Sequence, residues 1–147
     1  MSENRTRIGL FVALCLLAGG ALAIGLFMAS DRDNFDWGAG KLPVHGVKLV
    51  VPRQSWDQFF ARLKMFAQAN GFGVRIARIH PTKEQYTIDM WRKDVAASGE
   101  NVFAPEDFQI GFYVDPSRGT PDTVARIVED MKASLSNVEG IAITQTK

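Results

Sequence analysis

The sequence predicts an α+β domain that follows an N-terminal transmembrane helix. Residues 8–29 form an apolar run without a charged side chain, which is long enough to cross a bilayer. From residue 42 to residue 147, the spacing of apolar residues changes several times between a period of two and a period of 3.6, which is typical of strands and amphipathic helices respectively. We therefore divide the chain into a cytoplasmic tail (1–7), an anchor (8–29), a linker (30–41) and an exported domain (42–147).

The apolar run is predicted to remain in the membrane as a signal anchor. As an α-helix it would extend over about 33 Å, close to the thickness of a bilayer core. Arg5 and Arg7 precede the run, and Asp31, Asp33 and Asp36 follow it. Because positive charge is retained on the cytoplasmic side, we expect a single-pass inner-membrane protein whose C-terminal domain is periplasmic.

Other interpretations of the N-terminal region remain open. Ala21-Leu22-Ala23 matches a signal-peptide cleavage pattern, and cleavage there would secrete the domain to the periplasm. Val12-Ala13-Leu14-Cys15 resembles a bacterial lipobox, although Leu14 departs from the small residue expected before the modified cysteine. In the linker, Phe35 and Trp37 are either interfacial aromatic residues or part of a plain tether.

The first two predicted elements of the domain are a strand and a helix. Residues 47–51 alternate as a strand that ends at Pro52. Ser55 and Gln58 match the S-x-x-Q capping box at a helix start. Asn70-Gly71 is predicted to end this helix with a left-handed residue. The apolar stripe of the helix comprises Trp56, Phe59, Phe60, Leu63, Phe66 and Ala67.

The remaining chain predicts five further elements, four strands and a helix. Residues 74–80 and Tyr86 to Lys93 form a strand hairpin, and Asp94 to Asp107 form a long loop, a length that is often functional in compact domains. Residues 108–114 alternate as another strand. Thr120 and Pro121 begin a second helix, and residues 141–146 form the last strand. The buried stripe of the second helix comprises Val124, Ile127, Val128, Met131 and Leu135.

The resulting order, β-α-β-β-β-α-β, resembles the ferredoxin-like βαββαβ arrangement with one additional strand in the middle. The resemblance covers residues 44–147 and depends on element order alone, without a specific motif. It implies that two helices cover one face of a mainly antiparallel sheet and leave the other face open.

The open face carries the predicted contact residues. Strand alternation places Lys48, Arg75, Trp91, Lys93 and Tyr113 on this face. Aromatic and basic side chains on a rigid sheet are what interface hot spots tend to use, so we expect these five residues to bind a protein partner. The alternative is that they form ordinary cross-strand pairs on a solvated face.

Several kinds of chemistry find no support in the sequence. The only cysteine, Cys15, lies in the apolar run, and His45 and His80 are far apart without a metal-binding neighbour, so we expect no metal site and no cofactor. Catalytic motifs are absent, and a group made of Asp89, Glu106 and Asp107 is the one conceivable acid/base arrangement. We predict no catalytic residues and no enzyme.

Nucleic acid is not the expected partner. The sheet arrangement is similar to that of the RNA-recognition motif, but the strand YTIDMWRK at residues 86–93 lacks the required Lys/Arg-Gly-aromatic run. Charge is uneven along the chain: residues 41–93 carry ten basic and three acidic side chains, whereas residues 94–147 carry four basic and nine acidic ones. This would make a two-sided molecule if the halves separate in space, and would average out if they interleave.

Three functions follow as hypotheses. The first is a membrane-anchored, non-catalytic interaction subunit of an envelope assembly, similar in architecture to the anchored assembly subunits of secretion and pilus machineries, which would dock a partner through the open sheet face or the Asp94–Asp107 loop. The second is an immunity or inhibitor protein that neutralises a periplasmic toxin or hydrolase, supported by the uneven charge. The third is a small-molecule sensor or carrier with a pocket lined by Trp56, Phe59 and Phe66. The oligomeric state stays undetermined at this level.

Overall fold

A computed structural model describes Phe35 and residues 42–146. These residues form six strands and two α-helices. In chain order they are β1 (His45–Val50), a 3₁₀ turn (Arg53–Ser55), α1 (Trp56–Ala69), β2 (Gly73–Arg78), β3 (Tyr86–Trp91), β4 (Val95–Glu100), β5 (Asp107–Val114), α2 (Pro121–Leu135) and β6 (Ala142–Thr146). The predicted α+β class is confirmed.

The transmembrane prediction concerns residues 8–29, which lie outside the described residues. Within the part of the chain that is described, no helix is both long enough and apolar enough to cross a bilayer. The linker prediction also lies outside the description, with the exception of Phe35.

The six strands form one fully antiparallel sheet in the order β2-β3-β4-β5-β1-β6. The predicted order had one strand fewer, because the segment from Asp94 to Asp107 was interpreted as a loop. That prediction was wrong: β4 occupies most of its first half. With three strands between the helices, the last of them would run parallel to β1, whereas four strands make every neighbour antiparallel.

The missed strand has an unusual composition for its position. Its sequence, VAASGE, is rich in alanine, serine and glycine, which are weak strand formers. Small side chains are required here because both faces are crowded: Ala96 and Ala97 are fully buried on opposite faces. A Cβ atom at Gly99 would lie 2.6 Å from the backbone oxygen of Gln109. Packing therefore outweighs local propensity in β4.

Both helices pack on the same face of the sheet and form one core with it. The core includes Leu49 of β1, Met90 of β3 and Phe108 of β5, all fully buried. The apolar stripe predicted for the second helix is buried at every position, and that of the first helix is buried except at half-buried Phe60. Each such large side chain contributes about 1.5–3 kcal/mol when it leaves water.

Helix ends follow the sequence in two of three predicted cases. After α1, Gly71 adopts φ +71°, and the N–H groups of Gly71 and Phe72 bond to Gln68 and Ala67 in a Schellman motif. At α2, the Thr120 hydroxyl accepts a hydrogen bond from the Thr123 N–H at 3.3 Å. Both predictions are confirmed.

The prediction of a capping box at the start of α1 was wrong. The 3₁₀ turn places Ser55 at ψ 0° rather than in the extended conformation of an N-cap. Its hydroxyl instead donates to the Glu139 carbonyl at 2.7 Å. Gln58 contacts the same segment, accepting from the Glu139 N–H and donating to the Asn137 carbonyl. The two side chains therefore join α1 to the connection between α2 and β6.

Candidate functional site

Two of the five predicted contact residues are engaged in ion pairs on the open face. Lys48 lies 3.1 Å from the Asp107 carboxylate, and Arg75 lies 2.7 Å from that of Asp89, its cross-strand partner. Ser98 donates a hydrogen bond to the other oxygen of Asp89 at 2.9 Å. These cations are therefore already neutralised within the sheet, as expected of ordinary cross-strand pairs.

The other three predicted contact residues, Trp91, Lys93 and Tyr113, do not lie next to one another on the sheet. Trp91 of β3 and Tyr113 of β5 lie on either side of Ala96 in the register, with β4 between them. Lys93 was placed on the open face by extending β3, but β3 ends at Trp91 and Lys93 lies in the following turn. The predicted extension of this strand to Lys93 was wrong, because the chain turns at Arg92 to begin β4.

The three carboxylates considered for acid/base chemistry each have a separate partner. Asp89 is held by Arg75 and Ser98, as described above. Asp107 pairs with Lys48, and the Glu106 carboxylate accepts the backbone N–H of Arg53 at 3.2 Å. In the described part of the chain, no group of three histidine, cysteine or acidic residues is arranged to hold a metal ion.

The fold of the described residues does not separate the charged halves that supported the inhibitor hypothesis, and it leaves no open pocket at the aromatic residues that supported the sensor or carrier hypothesis. Strand β1, from the basic half of the chain, lies between β5 and β6 of the acidic half, so the two halves interleave in the sheet. Trp56, Phe59 and Phe66 are buried in the core. The Trp56 and Phe59 rings pack on Phe108 with centroids 6.0 Å and 5.1 Å from its ring, so their space is filled by other side chains.

A second surface lies where three connections meet at one end of the sheet: residues 51–55, 79–85 and 101–106. Arg53 forms an ion pair with Glu84 at 2.9 Å, and the Val51 N–H donates to the Glu106 carbonyl. The Gln85 amide donates to the Val102 carbonyl at 3.2 Å. Side-chain and backbone hydrogen bonds therefore fix the β2–β3 and β4–β5 connections to each other.

Asn101 is the central residue of this junction. It is 1% exposed, and its side-chain oxygen accepts the Tyr86 N–H at 2.6 Å. Its amide donates to the carbonyls of Glu84 and Pro105, at 2.9 Å and 2.6 Å. Because one buried side chain satisfies three backbone groups from two connections, the backbone on both sides of the β4–β5 tip is held in place.

Apolar side chains project from this braced junction into solvent. Phe103 is 85% exposed at the tip of the β4–β5 connection, and Val102 and Ile79 are 39% and 47% exposed. A cavity of about 570 Å³ lies beside Val102 and Phe103 and is lined by both connections. Arg78 and Lys83 line the same cavity. We call Ile79, Val102 and Phe103, together with Arg78 and Lys83, the tip surface.

The two cations of the tip surface differ from those on the open sheet face. Arg78 and Lys83 are exposed, and neither forms an ion pair within the described residues. Arg78 instead donates to the backbone carbonyl of Lys83 at 3.0 Å, which orients its guanidinium without neutralising it. The tip surface therefore combines solvent-exposed apolar groups with uncompensated positive charge.

The predicted contact set omitted the tip surface, although the surrounding loop was noted as a docking route. The available signal was a single large aromatic residue inside a polar, proline-containing connection, Asn101-Val102-Phe103-Ala104-Pro105. Its exposure depends on contacts of Asn101 with residues 15 to 17 positions away, which the local pattern does not encode.

Comparison with known proteins supplies no relative from which a function could be transferred. The chain matches no protein-family model, and no curated protein shows significant sequence similarity to it. The geometry of its surfaces is therefore the basis on which its function has to be inferred.

Proposed function

We propose that this chain is a non-catalytic interaction subunit of an envelope assembly, anchored in the inner membrane by residues 8–29, whose periplasmic domain docks a protein partner through the tip surface. The observation that carries the proposal is Phe103, a large aromatic side chain that is 85% exposed on a connection braced by buried Asn101. A side chain on a braced backbone loses less entropy on binding than one on a mobile loop, and aromatic side chains are enriched at protein interfaces.

The architecture is consistent with this role. The order β6-β1-β5-β4-β3-β2 corresponds to the ferredoxin-like arrangement in which the hairpin beside β1 is enlarged by two strands. Similar domains follow a membrane anchor in subunits of secretion and pilus machineries. This likeness is an analogy of architecture, and the proposal depends on the tip surface itself.

The chemistry of the tip surface specifies the partner. Phe103, Val102 and Ile79 require an apolar side chain or groove that removes them from water. Arg78 and Lys83 favour acidic residues around that contact, because neither is neutralised by an ion pair in the described part of the chain. We therefore propose a protein partner that presents an apolar group flanked by Asp or Glu side chains.

Site-specific photo-crosslinking in the host membrane tests the proposal. A photoreactive amino acid replaces Phe103 in the full-length chain, and the matched control replaces Met65, an exposed apolar residue of α1 at 58%. We expect one discrete adduct from position 103 and none of that mass from position 65. An identical adduct from both positions, or no adduct from position 103, would contradict the proposed surface.

Charge-reversal variants distinguish specific docking from non-specific hydrophobic association. Lys83→Glu should weaken the adduct at position 103 several-fold, and added salt should do the same to the wild-type adduct, because exposed charges are screened within about 8–10 Å at ordinary ionic strength. Lys64→Glu on exposed α1 is the control and should leave the adduct unchanged. If Lys83→Glu and Lys64→Glu weaken the adduct equally, the proposal that the partner presents acidic residues to the tip surface is excluded.

The anchor is tested separately by the mass and location of the mature protein. An intact chain of 16.3 kDa in the membrane fraction supports retention of residues 8–29. A soluble species that lacks the first 23 to 30 residues would contradict the anchor and indicate a secreted periplasmic binding domain.

A further inference from the structure

Two buried apolar residues do not belong to the hydrophobic core. Among the described residues, every buried apolar side chain belongs to the core between helices and sheet except Phe35 and Ala96. Phe35 is 3% exposed and comes from the segment that the sequence assigns to the linker. Ala96 is 0% exposed and is the second residue of β4. Each needs a covering partner outside the core.

Ala96 faces the open side of the sheet. Its chain neighbours Val95 and Ala97 are both part of the core, and successive strand residues point to opposite faces. The register places Trp91 of β3 and Tyr113 of β5 directly beside it. A side chain that points away from both helices can be fully buried only if something covers it from the open side.

The two neighbouring rings are directed away from the space above Ala96. A Cβ atom at Gly73 would lie 2.6–2.9 Å from the Trp91 indole, so that ring extends over β2. A Cβ atom at Gly111 would lie 3.4 Å from the Tyr113 hydroxyl, so that ring extends along β5. The two rings therefore flank Ala96 rather than cover it.

Pro43, two residues before β1, already lies on this face. Pro43 would be 3.2 Å from a Cβ atom at Gly111, which is the diagonal neighbour of Ala96 in the β4–β5 register. Diagonal neighbours are about 7–8 Å apart. The eight residue steps from Pro43 back to Phe35 can extend over up to about 26 Å. Phe35 is therefore well within reach of Ala96.

We propose that Phe35 packs on Ala96 between Trp91 and Tyr113, so that the Phe35 side chain covers the apolar part of the open face of its own sheet. This contact explains both burials with one interaction. It also means that a residue of the predicted linker belongs to the folded domain, and that a partner could reach Trp91 and Tyr113 only by displacing Phe35. The inference is independent of the tip surface.

Cysteine accessibility in the full-length protein tests this contact. In a Cys15→Ser background, Ala96→Cys and Ala97→Cys are labelled with a maleimide reagent, with Phe35 present or replaced by Ala. Both thiols should react slowly when Phe35 is present. Phe35→Ala should raise the labelling rate at position 96 at least tenfold and leave position 97, on the core face, unchanged. An unchanged rate at position 96 would overturn the proposal.

If the Phe35→Ala variant unfolds, a disulfide experiment tests the contact between Phe35 and Ala96 without it. Phe35→Cys combined with Ala96→Cys should form a disulfide under mild oxidation with diamide, again in the Cys15→Ser background. Phe35→Cys combined with Thr144→Cys, on the exposed side of β6, should not. Equal yields from the two pairs, or no disulfide from the first pair, would show that Phe35 is buried elsewhere.

Discussion

The side-chain oxygen of Asn101 accepts a hydrogen bond from the backbone N–H of Tyr86 at 2.6 Å, which joins the end of β4 to the start of β3. The same side chain donates to two carbonyls, those of Glu84 and Pro105. One fully buried amide thus holds the two connections from which Phe103 projects.

Asn101→Asp should destabilise the protein by about 2–3 kcal/mol. The substitution keeps the acceptor oxygen but removes both N–H donors, so the carbonyls of Glu84 and Pro105 would face a carboxylate instead. Chemical unfolding of the purified full-length chain, followed by tryptophan fluorescence, measures the change. Gln85→Glu is the matched control: it removes a single exposed donor to Val102 and should cost less than about 1 kcal/mol. Equal losses would argue against a central role for Asn101.

Gly99→Ala and Gly71→Ala should both destabilise, but for different reasons. At Gly99 the new Cβ meets the Gln109 backbone oxygen at 2.6 Å, so the β4–β5 ladder has to move, at about 1–3 kcal/mol. At Gly71 nothing lies within 4 Å, and the cost comes from φ +71°, about 1–2 kcal/mol.

Asparagine distinguishes the two causes, because it tolerates the left-handed conformation but is larger than alanine. Gly71→Asn should recover most of the stability lost in Gly71→Ala, whereas Gly99→Asn should be worse than Gly99→Ala. Unfolding midpoints of the four variants give the comparison. If asparagine improves on alanine at both positions, overpacking at Gly99 is excluded.

Arg92→Lys should cost about 1–2 kcal/mol. The guanidinium donates twice to Asp94, at 2.6 Å and 2.9 Å, and once to the Asn70 carbonyl, while it lies 4.9 Å from the centre of the Phe72 ring. Lysine cannot reproduce this fork. Thermal unfolding of the variant, with its charge preserved, reports the loss.

Arg75→Lys is the control for that substitution. Arg75 also bonds to an aspartate, Asp89, but its side chain is 69% exposed, and exposed pairs contribute little. We expect its melting temperature to stay within error of the wild type. A loss at Arg75 as large as that at Arg92 would mean that burial does not determine the strength of these pairs.

Ser55 and Gln58 should be energetically coupled through Glu139. Each side chain bonds to the backbone of that residue, so the losses in Ser55→Ala and Gln58→Ala should fail to add by about 0.5 kcal/mol or more. A double-mutant cycle measured by chemical unfolding gives the coupling. Ser55→Ala with Thr120→Ala should be additive, because Thr120 caps α2 locally. Additivity in both cycles would refute the shared contact.

The elements that sequence analysis predicted correctly are those governed by local spacing. The stripe of α2, the Thr120 cap and the left-handed Gly71 depend on residues within one or two helical turns, and each is found as predicted. Strands with clear alternation, such as β5, are also recovered; β5 begins one residue earlier than predicted and ends at the predicted residue. For these segments the side-chain period alone determines which face is buried.

Sequence analysis predicted the site less completely than the fold. Strand alternation placed Lys48 and Arg75 on the open face, but the carboxylates that neutralise them come from other strands. Pairing across a sheet depends on register, and register is set by the whole fold. Phe103 was part of a predicted loop, yet its exposure at a hydrogen-bonded tip depends on the distant partners of Asn101.

The sequence by itself determined the α+β class, the two helices, the apolar stripes and the absence of recognisable catalytic motifs, because these properties follow from residue identity and short-range spacing. Only the tertiary structure decided that VAASGE is a central strand, that Ser55 bonds to Glu139, and that Phe35 is buried. In each of these cases the controlling contact joins residues distant in sequence. Close packing and hydrogen-bond satisfaction then outweighed local propensity.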